Sequence, residues 1–109
     1  MSATMIVTPL LVNQTVDETA VAMTPHNGSK NFNVNVEWGA GTSAGVVAVE
    51  TAPYKEYAGT WSNLTSFTWA TVSTIDTWRG TGPFGAIRTR ITTAVVTSDK
   101  GVTTTVYEN

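Results

Sequence analysis

Between Asn31 and Trp38 the chain alternates without a break: Phe32, Val34, Val36 and Trp38 are apolar, while Asn31, Asn33, Asn35 and Glu37 are polar. Successive side chains of a strand point to opposite faces, so this stretch reads as a strand with one face in a core and one in water. Wound into a helix, the same four apolar residues would scatter around the circumference. No window elsewhere carries a useful 3.6-residue period, so the apolar face must be covered by another sheet.

The rest of the chain supplies strands for that sheet. Near the C-terminus Ile87, Thr89, Ile91 and Thr93 fall on one face, and Arg88, Arg90 and Thr92 on the other. Ser98-Asp99-Lys100-Gly101 has turn chemistry, with Gly101 free to take positive φ, so residues 102–107 are expected to return antiparallel as a hairpin. Residues 4–12 form a first strand ended by Pro9, which places them at a sheet edge or makes them an arm lying on a neighbour. Short strands are also expected over 19–24 and 46–51, with a small-residue loop over 39–45. A loop at 52–60 carries Tyr54 and Tyr57. Residues 61–70 and 71–79 read as successive strands whose alternation slips between them. About eight short strands at this spacing predict an all-β, antiparallel two-sheet sandwich of jelly-roll or Greek-key topology, with an immunoglobulin-like arrangement second. The expected division is an arm or edge strand over 1–12 and a single sandwich domain over 13–109.

Composition narrows the function classes. Only 13% of residues are charged, about half the usual share. Neutral polar groups must cover the surface, and threonine, the commonest residue, does this well in strands. Six Lys and Arg against eight Asp and Glu give a net charge of −2, which argues against nucleic acid as a partner. Arg79, Arg88 and Arg90 could form a local patch but read as solvated or cross-strand-paired residues of an outer sheet face. With no cysteine, neither a disulfide nor a thiolate metal site is available. The apolar run from Met5 to Val12 has no preceding basic residue and contains Pro9, so it does not read as a signal peptide, and no run is long enough to predict a membrane helix.

Chemistry is hard to find. His26, the single histidine, lies in a Pro/Asn/Gly loop and reads as an exposed side chain without partners for a metal set. Glu37, Glu50, Glu56 and Asp76 are the carboxylates from which a glycosidase pair could be drawn, and each has a simpler reading as a solvated group. No nucleophile elbow accompanies His26. The expectation is therefore no catalytic residues, no metal and no cofactor. Trp38 and Trp69 are in phase with core positions. Tyr54, Tyr57 and Trp61 cluster around one loop as the expected exposed aromatic set, suited to a protein interface or to sugar stacking.

Four stretches carry a family likeness: Gly45-Val-Val-Ala-Val-Glu50, Tyr57-Ala-Gly-Thr-Trp61, Gly82-Pro-Phe-Gly-Ala-Ile-Arg-Thr-Arg-Ile91 and Gly101-Val-Thr-Thr-Thr-Val106. In this order, over roughly the last two-thirds of the chain, they resemble small β-sandwich virion accessory proteins of tailed bacteriophages, of capsid decoration, cement or head-fibre type. The resemblance implies a non-enzymatic structural role in the virion, assembled in the host cytoplasm. It also implies contact with the major capsid protein or another virion protein, and a homo-oligomer, with a trimer favoured. The residues nominated for partner contact are Met5, Ile6, Pro9 and Leu10 of the N-terminal segment, with Tyr54, Tyr57 and Trp61. The alternative is a carbohydrate- or receptor-binding sandwich module.

Overall fold

The computed structural model describes residues 5–72 and 74–109 and places among them eight strands in two four-stranded antiparallel sheets. In chain order these are β1 (Ile6–Pro9), β2 (Ala20–Met23), β3 (Asn31–Glu37), β4 (Thr42–Ala52), β5 (Ser62–Thr68), β6 (Ile75–Thr81), β7 (Ala86–Thr97) and β8 (Thr103–Glu108). One sheet has the order β1-β8-β3-β6 and the other β2-β7-β4-β5. Strand β1 pairs with β8, β2 with β7, β3 with β6 and β4 with β5. This is one long antiparallel ribbon, turned back on itself at the β4–β5 connection and then rolled into two layers. The topology is a jelly roll, the first of the two expected.

The expected C-terminal hairpin does not form. Strands β7 and β8 lie in different sheets, and residues 98–102 arch between the layers. A second arch, from β3 to β4, runs beside the first: Ser98 and Lys100 donate backbone hydrogen bonds to the carbonyls of Gly41 (3.1 Å) and Ala40 (3.0 Å). Positive φ falls on Gly41 (83°) and not on Gly101. Gly101 is needed for a different reason, since a Cβ there would lie 2.4 Å from the carbonyl oxygen of Gln14. The same arch lets β4 begin at Thr42 instead of Val46. The slip between β5 and β6 has the same cause, because the two strands sit on the edges of opposite sheets.

Between the sheets the core divides into two clusters. Leu10, Met23, Phe32, Val34, Val49, Ile87 and Val106 form one, and Leu11, Val36, Trp38, Val47, Ile91, Val95 and Val102 the other. Two buried threonines stand at the division, with Thr89 Oγ1 2.6 Å from Thr104 Oγ1 across the layers. The Leu11 amide donates to Thr104 Oγ1 at 3.0 Å, so these polar atoms are partnered where solvent does not reach. Register shifts against β4 near Ala44–Val47 give β7 extra residues. They change its phase, so Thr93, expected inward, is exposed and Val95 is buried.

Candidate functional site

The two sheets turn opposite faces outward, and the sequence places very different side chains on them. On the β1-β8-β3-β6 sheet, the outward residues of β3 are Asn31, Asn33, Asn35 and Glu37. Register sets Asn33 between Tyr107 of β8 and Arg79 of β6, with Val7 of β1 beyond Tyr107. Asn31 lies beside Thr81, and Asn35 beside Thr77, whose hydroxyl donates to Asn35 Oδ1 at 3.1 Å. Asn31, Asn33, Asn35, Arg79, Thr81 and Tyr107 line a groove of about 740 Å³, together with Glu108 and with Met5 at its margin. Asn33 Oδ1 is buried there without a hydrogen-bond partner among the described residues. Among the described residues, Arg79 has neither an ion pair nor a side-chain hydrogen bond.

Glu108, next to Tyr107, points inward and is fully buried. Its Oε1 accepts hydrogen bonds from the His26 amide (2.6 Å) and the Ser29 hydroxyl (2.9 Å), and lies 3.1 Å from His26 Nδ1. The exposed imidazole of His26 thus has a structural partner that sequence reasoning missed. A usable signal was present: Val102, Thr104 and Val106 set the inward phase of β8, and Glu108 continues it.

One end of the outer face of the β2-β7-β4-β5 sheet is covered. Residues 53–61 fold back over it, and Trp61 packs with Ala52 and Ala86, with Ala22 and Tyr57 against them. Trp61 Nε1 donates to the Tyr57 carbonyl at 2.9 Å, and the Arg88 guanidinium sits 4.3 Å above the indole. Glu50 lies beside this cover, where Oε1 accepts from Arg88 Nε at 2.7 Å and Arg90 Nε at 3.0 Å, and Oε2 from Arg90 Nη2 at 3.1 Å. Burial pushes the Glu50 carboxyl up, but hydrogen bonds from Arg90 and Arg88, together with their charges, outweigh it and hold it below the usual range. The hydrogen bond to Glu50 raises the Arg90 guanidinium in turn. Arg88 and Arg90 are cross-strand-paired, one of the two states expected for them.

The residues nominated for partner contact are not one surface. Met5, Pro9 and Tyr54 are exposed, and Ile6 and Tyr57 are half-buried. Two corrections are needed. Trp61, expected among the exposed aromatics, is only 8% exposed because the alanines of β4 and β7 leave room for its ring. Leu10, expected on a contacting arm, is 7% exposed. Just after Pro9 the chain leaves the edge and turns into the core, where the Leu10 amide donates to the Thr104 carbonyl at 2.9 Å. Residues 6–9 are the edge strand of their own sheet, while residues 1–4 of the expected arm lie outside the described residues.

The carboxylates considered for catalysis are dispersed in role. Glu50 is held by two arginines, Asp76 Oδ2 accepts from Trp38 Nε1 at 2.9 Å, and Glu37 and Glu56 are exposed. Comparison with family models, curated proteins and solved structures finds no match for this chain.

Proposed function

We propose that this protein is a structural accessory component of a tailed-phage virion, of decoration or cement type, which holds to neighbouring virion subunits through its N-terminal side. The observation that carries the reading is where large apolar side chains are exposed. Of the nine large apolar side chains exposed among the described residues, five lie in the N-terminal segment, Met5, Val7, Val12, Val16 and Val21, while Tyr54, Val72, Ile75 and Val96 lie elsewhere. A folded domain that leaves such residues in water along its first strand and the following turn has apolar area to bury in an assembly. The cysteine-free composition suits assembly in a reducing cytoplasm. The jelly roll adds support by analogy alone, since the fold serves viral capsid proteins and lectins alike. Attachment as a homotrimer would let modest contacts act together at high effective concentration.

The test is binding of the recombinant protein to capsid shells assembled without it. Saturable binding that raises the shells' resistance to heat is expected, as is its loss in a Val12→Asp/Val16→Asp variant that melts normally. Shells that neither bind the protein nor change in heat resistance would overturn the proposal. The asparagine-lined groove on the outer face of the β1-β8-β3-β6 sheet favours a second reading, a carbohydrate-binding module.

A further inference from the structure

We infer that the groove over Asn31, Asn33, Asn35, Arg79 and Tyr107 is a binding site for an acidic oligosaccharide, a chain of sugar rings bearing at least one carboxylate. The inference goes beyond virion attachment and uses a different set of side chains, with Met5 at the groove's margin the one residue common to both.

Three observations converge on it. First, β3 is an interior strand of its sheet, yet its outward positions hold three asparagines, a residue depleted in strands. Threonine fills comparable outward positions at Thr103 and Thr105 of β8 and Thr77 and Thr81 of β6. Breaking a local rule at three consecutive outward positions is what a binding surface does when side-chain chemistry outranks folding preference. Second, the Asn33 oxygen is buried and unbonded, a group that gains by meeting a donor when the groove is occupied. Third, Arg79 stands in the same row without an ion pair among the described residues, so a charge is offered to something outside the chain, although Glu108, whose Oε2 is buried and unbonded, also lines the groove.

The lining fits sugar better than other occupants. An amide presents a donor and an acceptor side by side, the pattern that adjacent ring hydroxyls match. Alternate residues of a strand recur at about 7 Å, the scale of a sugar ring, so the asparagine row can follow a short chain. Tyr107 offers an aromatic face to a ring's C–H side. One guanidinium can pair with an isolated carboxylate but is too little charge to hold a polyphosphate. Acidic peptides are the competing occupant, and the hexaglutamate arm of the test distinguishes them.

The probes are oligogalacturonate hexamer and sialyllactose, with maltohexaose as the neutral comparison and hexaglutamate as the acidic peptide. Each is titrated into the isotopically labelled full chain and followed by NMR. The expected result is saturable shifts confined to residues around Asn33, Arg79 and Tyr107 with at least one acidic sugar, and weaker response to maltohexaose. Arg79→Ala and Asn33→Thr should each weaken that binding by roughly tenfold or more, while Asn63→Ala, on the other sheet, leaves it unchanged. Val12→Asp/Val16→Asp should also leave it unchanged, so failure of virion attachment and failure of this site read out separately. The inference is overturned if neither acidic sugar binds, if maltohexaose or hexaglutamate binds as well as the acidic sugars, or if binding survives both groove substitutions.

Discussion

The two outer faces of the sandwich start from similar strands and end in opposite states. The face of β7 and β4 carries small residues, Ala52, Ala86 and Ala22, and these accept an indole and a folded-back loop. Its charges, Glu50, Arg88 and Arg90, close on one another. The face of β3 carries three amides and, among the described residues, has no such loop over it and leaves both a guanidinium and a buried amide oxygen unpaired. Where polar groups are satisfied and covered, a face contributes stability. Where they are left unsatisfied on an open surface, stability has been exchanged for the capacity to bind.

The covered face should therefore be the fragile one. Removing its lid gives the largest effect expected here. Trp61→Ala deletes a buried ring and the platform under Arg88, and should cost about 3 kcal/mol, read as a lowered midpoint in urea. A loss below 0.5 kcal/mol would mean that the loop rests on the sheet without stabilising it, and the contrast between faces would fail.

Glu50→Gln comes next. It leaves two arginines facing a neutral amide, and the expected cost is about 2 kcal/mol, less than for a fully buried pair because both arginines reach water. The effect also has a pH signature. The carboxyl of Glu50 is held below its usual range in the folded chain, so its stabilisation is complete above the ordinary glutamate value of about 4.3 and is lost as pH falls through the lowered folded value. The stability difference between wild type and Glu50→Gln should be flat at neutral pH and shrink only in acid. A difference that instead shrinks between pH 6 and 8 would place the stabilisation in another group.

How far the sequence announces these faces depends on the range of the interaction. Strand identity is local, and the alternation of residues 31–38 marks β3 correctly because a core on one side and water on the other leave their imprint residue by residue. Which strands pair is not local. Ser98–Gly101 carries turn chemistry and connects two sheets, whereas residues 53–61, a longer and less regular stretch, join the one sequential pair that hydrogen-bonds, β4 and β5. Turn residues state that the chain reverses and leave open whether the next strand lies alongside or across the core. Trp61 was misplaced for a related reason: its burial depends on alanines 9 and 25 residues away in sequence, at Ala52 and Ala86. The asparagine row was fully visible as alternation. Its pairing with Arg79 and Tyr107 required the register of β6 and β8 against β3.

The smallest effect is the most telling, because its sign should be opposite. Asn33→Thr replaces an amide, poorly suited to a strand and with a buried unbonded oxygen, by a residue that suits the pleated surface and carries fewer polar atoms. Strand preference spans about 1 kcal/mol across residue types, and removing an unsatisfied acceptor adds to the gain. Asn33→Thr should thus raise stability by about 1 kcal/mol, a shift of a few degrees in melting temperature for a domain of this size. Removing a polar atom that is already paired should have the opposite effect: Thr51, in the inward phase of β4 beside Ile87, donates its hydroxyl to the Ala86 carbonyl at 2.7 Å and should lose about 1 kcal/mol as Thr51→Val. Opposite signs at these two positions would establish that the paired hydroxyl holds the fold together and that the amide of Asn33 does not. Equal signs would mean that Asn33 finds its partner in solvent, and that the open face is only a hydrated one.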